Sequence, residues 1–149
     1  MSATIREARP GEEERILPMF EWLFAPPGST PPGWDTVRAK RPLAETIAGP
    51  DSVALVAEEG DRMIGLCTAY ITIESVRFGR RCLVEELAVD PERRSEGIGA
   101  ALLDAAKAWA RGAGATHLEL DSGLAREDAH RFYEREKPSW KSYSFGWEL

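Results

Sequence analysis

The sequence has little of what disulfide-rich, metal-dependent or nucleic-acid-binding proteins carry. Its only cysteines, Cys67 and Cys82, are widely spaced in apolar runs, and it has two histidines. Without a CxxC pair or a His-rich cluster, we expect no metal site, and we expect both thiols to be small buried hydrophobes. Acidic residues outnumber basic ones by 25 to 19, for a net charge of −6. This balance argues against nucleic-acid binding and is compatible with a cationic substrate.

Long apolar runs are also missing. No stretch approaches the roughly 18 residues that span a bilayer, so no membrane association is expected. The opening segment MSATIREARP has no apolar core typical of a signal peptide, which favours a cytoplasmic location. A length of 149 residues with 43% hydrophobic and 30% charged residues predicts one soluble domain, residues 1–149.

The apolar periodicity predicts an α/β fold with a mixed, mostly antiparallel sheet, a central parallel strand pair and flanking helices. The expected strands are 3–8, 52–58, 62–76, 82–89, 116–121 and 142–149, and the expected helices are 12–24, 35–48, 97–112 and 125–136. Pro18 should kink or split the first helix. The strands from 52 to 89 follow one another through short turns, as in an antiparallel meander. The strand–helix–strand order from 82 to 121 then makes its two strands parallel.

The stretch DPERRSEGIGAALL, residues 90–103, lies at the crossover. Ligands of open α/β sheets favour the crevice at the carboxyl ends of parallel strands. Here two arginines and Gly97-Ile98-Gly99 fill that crevice and lead into a helix. Glycines allow close backbone approach, and the first N–H groups of a helix have no intrahelical partner. The segment therefore predicts a binding site for phosphate or pyrophosphate.

Two common phosphate motifs fit this segment poorly. The pattern GxxxxGK[ST] is absent. A dinucleotide GxGxxG would need glycine where Leu102 stands, although an acidic residue about 20 positions on does exist, as Glu119 or Asp121. The antiparallel meander before the motif weakens this second interpretation.

The pattern Arg94-Ser95-Glu96-Gly97-Ile98-Gly99 matches the acetyltransferase signature Q/R-x-x-G-x-G/A. With its surroundings, LVEELAVDPERRSEGIGAALLDAAKAWA, it resembles the central motif of the GCN5-related N-acetyltransferase (GNAT) superfamily. The resemblance extends to TIREARPGEEE, LELDSG and AHRFYERE and spans nearly the whole chain. It implies an enzyme that moves the acetyl group of acetyl-CoA directly to a primary amine. A non-catalytic acyl-CoA sensor or interaction module on the same fold is the alternative.

The resemblance also assigns the acetyl-CoA site. In the family, the pantetheine arm bonds to the backbone of the strand that here ends Leu87-Ala88-Val89. The pyrophosphate is held by backbone N–H groups of a segment that here comprises Arg94, Ser95, Glu96, Gly97, Ile98, Gly99 and Ala100. Many relatives carry an Asn that contacts the cofactor, seven residues before the tyrosine that corresponds to Tyr133 here. This chain has Arg126 there, which could reach a coenzyme phosphate instead.

Three residues are candidates for proton transfer. Tyr133 stands where the family often carries a tyrosine near the coenzyme sulfur, and a phenol is protonated at neutral pH and can donate. Glu85 and Glu86 interrupt an apolar strand and are alternative bases or amine anchors; Glu85 matches a glutamate used by some polyamine-type relatives. The family commonly has a bulge in this strand, which could direct a carboxylate into the cleft.

Trp34, in a loop with four prolines and two glycines at 24–36, could line the acceptor pocket, since the family's first helices cover that cleft. Trp109 and Trp147 are expected to pack in the core. The acceptor could be a small cationic amine or a protein amine, and a homodimer is common in the family.

Overall fold

A computed structural model describes residues 3–149. In chain order the elements are β1 (Thr4–Glu7), α1 (Glu13–Ile16), a 3₁₀ helix (Leu17–Phe20), α2 (Glu21–Phe24), α3 (Thr36–Ala48), β2 (Ser52–Glu59), β3 (Arg62–Ile71), β4 (Arg81–Val89), a 3₁₀ turn (Pro91–Arg93), α4 (Ile98–Gly112), β5 (His117–Leu120) and α5 (Glu127–Arg135). Among these residues, no helix is long and apolar enough to cross a membrane.

The strands form one five-stranded sheet in the order β1-β2-β3-β4-β5. The first three pairings are antiparallel, and β4 and β5 are parallel. The mixed α/β fold predicted from the periodicity is therefore confirmed. The parallel pair lies at one side of the described sheet, because the last expected strand is not formed.

Residues 142–149 were expected to close the sheet, and that prediction is wrong. They have no regular secondary structure, and every one of them is exposed. Trp147, expected in the core, is 81% exposed. The alternation of apolar and polar residues indicates which side chains would share a face, but it does not provide a pairing partner. These residues make no ladder with β5.

Helices cover the sheet on both faces. The apolar side of α4 packs on one face through Ile98, Leu102 and Ala106, together with both cysteines. Burial raises the pKa of the Cys67 thiol to about 12, so it behaves as a buried hydrophobe as expected. The segments α1 to α3 cover the other face around Ile16, Met19 and Leu66.

The first helical segment is split, as its proline predicts. Pro18 is the second residue of the 3₁₀ helix between α1 and α2. The helix is interrupted there because proline cannot donate the backbone hydrogen bond that an unbroken α-helix requires. This bend places α2 against β4. Asp35 caps α3 by accepting a hydrogen bond from the Val37 N–H at 2.9 Å.

Candidate active site

The two parallel strands, β4 and β5, are paired over only part of the length of β4. Pairing runs from Arg81 opposite His117 to Val84 opposite Leu120 and then stops. Beyond Val84, the outer edge of β4 faces no strand within residues 3–149, while its other edge stays paired with β3 through Val89. A V-shaped cleft therefore opens between the end of β4 and the end of β5. Leu87, Ala88 and Val89 belong to the stretch of β4 that does not pair with β5, and their contact with the pantetheine arm stays a prediction.

A β-bulge marks the point where the cleft begins. Thr68 pairs with Glu86 and Ala69 pairs with Val84, so Glu85 is an extra residue in β4. The extra residue changes which sheet face the following side chains occupy. Leu87 packs with the α4-side core, whereas Glu86 aligns with Thr68 on the face that α1 to α3 cover. The bulge expected from the resemblance is thus present, and it turns Glu86 toward the helical segments beside the cleft.

Glu86 is the more buried of the two candidate bases. The Thr68 hydroxyl donates to its Oε1 atom, and the Glu86 backbone N–H donates to the same hydroxyl oxygen at 3.1 Å. Burial raises the pKa of the Glu86 carboxyl; the Thr68 hydrogen bond offsets part of the rise, and the negative charge of Glu85 adds to it. Glu85 itself is exposed at the bulge.

The surroundings of Tyr70 bring one more carboxylate, Asp121, into this region. Tyr70 lies on β3, two residues after Thr68, and is 37% exposed. Burial raises the pKa of its phenol, and the negative charges of Glu85, Glu86 and Asp121 raise it further. Glu85, Glu86 and Asp121 therefore all lie near the Tyr70 phenol. No ion pair within residues 3–149 neutralises any of them.

Tyr133 lies on α5, near Cys67 of β3. Its ring contacts Phe132, with ring centroids 5.2 Å apart, and a Cβ added at Gly99 would meet the Phe132 ring at 3.5 Å. The start of α4 and the tyrosine helix are therefore in contact. Burial raises the pKa of the Tyr133 phenol, and the neighbouring Cys67 on β3 contributes in the same direction. Tyr133 is consequently protonated near neutral pH and can act as a proton donor.

The loop between β4 and α4 has the shape of an anion site. Ser95 and Gly97 both have positive φ, 66° and 83°, so successive N–H groups turn toward one side. The N–H groups from Ser95 to Ala100 have no hydrogen-bond acceptor among the described residues. The first turn of α4 also contains no acidic residue. These free donors at a helix N-terminus fit a pyrophosphate.

The two arginines of this loop differ in their surroundings. Arg93 makes a two-pronged ion pair with Glu59, at 2.9 and 2.8 Å, and its Nε atom bonds to Glu96 at 3.0 Å. Arg94 is exposed and makes no side-chain hydrogen bond within residues 3–149. Arg93 therefore holds the loop to β2, whereas Arg94 is available to an anionic ligand.

The remaining predicted residues have structural partners. Arg126 donates from Nη2 to the backbone carbonyl of Leu23 at 2.9 Å and so links the start of α5 to α2. Trp34 stacks on Phe20 with centroids 5.6 Å apart and meets Phe24 edge-on at 4.9 Å. It is thus part of the cluster that seats α2 beside β4. A direct contact of either residue with a substrate stays a prediction.

Two polar residues of the cleft escaped prediction. Thr68 positions Glu86 by a hydrogen bond. In the sequence, the only indication of this role is a hydroxyl-bearing residue within the apolar run IGLCTAYI, residues 64–71. Ser122 lies two residues beyond the end of β5, and its hydroxyl oxygen is buried without a hydrogen-bond partner among the described residues. An unpartnered buried hydroxyl at this position is a ready contact for a polar ligand group. No cluster of three metal-ligating side chains occurs within residues 3–149.

Comparison with known proteins agrees with this geometry. Residues 16–136 match the Acetyltransferase (GNAT) family, and the chain belongs to that family. It is 32% identical to the uncharacterised N-acetyltransferase YhfO of Bacillus subtilis over 133 residues, which cover 88% of this chain and 86% of the relative. The class is therefore that of acyl-CoA-dependent N-acetyltransferases.

Two further relatives differ in their acceptors. A stretch of 53 residues is 49% identical to the aminoalkylphosphonate N-acetyltransferase of Salmonella typhimurium and covers 36% of this chain and 34% of that protein. The structure of the aminoglycoside N-acetyltransferase AAC(6')-Iy in complex with CoA superposes with a TM-score of 0.84, covering 99% of this chain and 94% of that one. At 15% identity, this likeness shows the shared fold.

Proposed function

We propose that this protein transfers the acetyl group of acetyl-CoA directly to a primary amine of a cationic acceptor, either a small molecule or a protein side chain. The observation that carries the proposal is that the pairing of β4 with β5 ends at Val84, two residues before Glu86. Glu86, a half-buried carboxyl of raised pKa, lies just beyond the last paired residue of β4, and Tyr133 offers a half-buried phenol on α5. General acid–base chemistry on an amine and a thiolate requires these two kinds of group.

The donor site is supported by three features of the chain. The free N–H groups from Ser95 to Ala100 are suited to the pyrophosphate, with Arg94 beside them. The unpaired edge of β4 at Leu87–Val89 can bond to the amide groups of the pantetheine arm in the manner of an added strand. The buried hydroxyl of Ser122 supplies a polar contact on the β5 side.

Glu86 is the proposed base. A lysine-like amine has a pKa of about 10.4, so at neutral pH the uncharged nucleophile is disfavoured by roughly 4.6 kcal/mol. A carboxylate whose pKa is raised by burial accepts a proton more readily than an exposed one. Glu86 therefore takes the ammonium proton, directly or through a water, and Thr68 keeps its carboxylate oriented. Glu85, exposed at the bulge, serves to anchor the amine.

Tyr133 is the proposed acid. The amine nitrogen bonds to the thioester carbonyl carbon, the carbon–sulfur bond breaks, and the sulfur leaves with the electron pair. The Tyr133 hydroxyl gives its proton to this thiolate. The phenolate then takes up, directly or through a water, the second proton that the amine nitrogen loses as the amide forms. The raised pKa of Tyr133 ensures that the proton is present at neutral pH.

The acceptor class follows from charge. Glu85, Glu86 and Asp121 all act on Tyr70 at the cleft mouth, and the described residues supply them no basic partner. An acceptor with more than one amino group would neutralise them, whereas a phosphonate-bearing acceptor would be repelled. We therefore expect this chain to differ in acceptor from the aminoalkylphosphonate enzyme that it partly matches.

A thiol-release screen tests the proposal. Polyamines, aminoglycosides, lysine peptides and aminoalkylphosphonates are offered with acetyl-CoA, and turnover is expected with the polycationic amines. Coenzyme A should also raise the melting temperature, because it binds the folded state alone. Thermal stabilisation without turnover on any amine would support the acyl-CoA sensor instead. Preference for the phosphonate would contradict the assigned acceptor class.

A further inference from the structure

Arg126 stands at a position where an arginine is locally unfavourable. It directly precedes α5, with φ −86° and ψ 64°, and its side chain makes no capping hydrogen bond. A Ser, Thr, Asp or Asn there would satisfy a free N–H group of the helix, whereas a positive charge is disfavoured at a helix N-terminus. A residue that breaks such local rules is expected to make a compensating contact elsewhere.

The compensating contact of Arg126 is with α2, 103 residues away in the chain. Its Nη2 atom donates to the backbone carbonyl of Leu23 at 2.9 Å, and the arginine is half-buried. The last carbonyls of a helix have no intrahelical partner, and a cation beside them is favourable. The guanidinium that fails to cap the start of α5 therefore caps the end of α2.

Gly28 closes over this contact. It belongs to residues 25–35, a segment with four prolines and two glycines that we call the Pro-rich loop. A Cβ added at Gly28 would collide with the Leu23 carbonyl oxygen and would lie 2.7 Å from Nη2 of Arg126. Glycine thus allows the loop to approach where a side chain would not. Gly28 is half-buried, whereas the other residues of 25–33 are all exposed.

The Pro-rich loop has few other attachments to the fold. Within the described chain, the hydrogen bonds that residues 25–35 make all stay within residues 21–39. Trp34, near the end of the loop, stacks on Phe20. The loop is therefore held at its end by Trp34 and near its start by Gly28, where it meets Arg126 and Leu23.

The two elements that Arg126 joins lie on different sides of the proposed reaction. The helix α5 carries Tyr133, the proposed acid, seven residues after Arg126. The helix α2 contacts β4, the strand of Glu86, and belongs to the segments that cover the sheet face of Glu86. An amine that reaches Glu86 therefore lies beside α2.

We propose that Arg126 is a positioning residue that clamps α2 and the Pro-rich loop to the tyrosine helix α5, and so sets the affinity for the amine acceptor. This role rests on the proposed function, because it takes Glu86 as the base and Tyr133 as the acid. It differs from the coenzyme contact that the resemblance suggests for Arg126. In this arrangement Arg126 serves the acceptor, whereas Arg94 serves the donor.

Two substitutions should break the clamp from opposite sides. Arg126→Met keeps a long side chain but removes its charge and its donors, and Gly28→Ala displaces the loop from an intact arginine. Each should raise KM for the amine about tenfold, the equivalent of one charge-assisted hydrogen bond, and leave KM for acetyl-CoA unchanged. The double variant should be no worse than either single one, because both remove the same contact. Arg126→Lys keeps a charged donor and should recover most of the affinity.

Hydrogen exchange measures the clamp without turnover. Amides of residues 21–35 should exchange faster in Arg126→Met and in Gly28→Ala than in the wild type, while those of the sheet should not change. Gly112→Ala, where an added Cβ meets nothing within 4 Å, and Arg135→Met, at an exposed site on α5, are the matched controls. Both should keep wild-type exchange and wild-type KM values. The acceptor for the kinetics is the fastest of spermidine, kanamycin and a lysine peptide.

Faster exchange together with a raised KM for the amine supports the clamp. Unchanged exchange in Arg126→Met overturns it, and so does faster exchange with an unchanged KM for the amine. An increase confined to KM for acetyl-CoA also overturns it, since Arg126 would then be a coenzyme contact. If the wild type releases no thiol with any amine, the proposed function fails and the role of Arg126 in acceptor binding fails with it. Unchanged exchange in an active enzyme contradicts the clamp alone.

Discussion

The hydroxyl of Thr68 bonds to Glu86 twice, donating to its Oε1 atom and accepting from its backbone N–H at 3.1 Å. A residue of β3 therefore orients a carboxyl of β4 at the bulge where the cleft begins. The hydrogen bond also opposes the rise in the Glu86 pKa that burial causes. Thr68 is thus a positioning residue that sets both the direction and the basicity of the proposed base.

Thr68→Val should shift the pH profile of the enzyme. Valine has the shape of threonine but cannot donate, so the Glu86 pKa should rise. A base acts only when deprotonated, and the acidic limb of kcat/KM should therefore move to higher pH. A hydrogen bond to a charged group contributes about 1.5 kcal/mol, which corresponds to a shift of about one pH unit. Thr68→Ser keeps the hydroxyl and should keep the wild-type profile. An unchanged limb in the valine variant would remove Glu86 from the role of base.

Tyr133→Phe should lower kcat by about 10²–10⁴-fold, the usual contribution of a positioned acid. The phenyl ring keeps the packing against Phe132, so the melting temperature and the affinity for CoA should stay close to those of the wild type. Tyr143→Phe makes the same change at a 79% exposed site and should have no effect on kcat. Stopped-flow thiol detection with a saturating amine separates the chemical step from binding. Full activity of Tyr133→Phe would show that the thiolate takes its proton from elsewhere.

The sequence predicted the cleft better than it predicted the residues around it. The anion loop could be anticipated, because glycine positions, charge and the change from strand to helical periodicity are local features. The role of Thr68 depends on which residue of β4 stands opposite it, and the bulge at Glu85 sets that register. The separate roles of Arg93 and Arg94 likewise depend on Glu59, which is 34 residues from Arg93 in the chain.

The prediction of a strand at residues 142–149 failed although the local pattern was clear. The apolar and polar residues there alternate as regularly as in the strands that do form, yet residues 142–149 pair with no strand in the described chain. Periodicity reports which side chains would share a face, but the pairing partner is a property of the assembled sheet. Arg126 is similar: its contact with the Leu23 carbonyl joins residues 103 positions apart and has no local signal.

The two neighbouring arginines of the anion loop should give opposite phenotypes. Arg94→Gln removes an exposed charge without a protein partner and should raise KM for acetyl-CoA about tenfold, the equivalent of one charge-assisted hydrogen bond. Its melting temperature should not change. Arg93→Gln breaks the ion pairs with Glu59 and Glu96 and should lower the melting temperature first. Equal effects of the two substitutions on KM would show that Arg93 also contacts the donor.

A second charged cluster, built on Arg6, Glu12, Arg15 and Glu58, should control acid stability. Arg6 bonds to Glu12 at 2.8 Å and to Glu58 at 3.0 Å, and Arg15 bonds to Glu58 at 2.9 Å. These hydrogen bonds and charges join β1, the start of α1 and β2. The Arg6 hydrogen bonds lower the pKa of both the Glu12 and the Glu58 carboxyls to about 2.

Because these two pKa values are depressed by folding, their contribution to stability is complete above the ordinary carboxyl range. It should be lost as the pH falls from about 4.5 to about 2. Glu12→Gln should therefore lower the melting temperature at pH 7 and flatten its decline across that window. Glu14→Gln, at an exposed neighbouring carboxyl paired only with Lys40, should leave both quantities close to the wild type. Thermal unfolding followed by circular dichroism at several pH values measures the difference. Parallel curves for wild type and Glu12→Gln would mean that the cluster carries no net stabilisation, since the arginine desolvation would then cancel the gain from pairing.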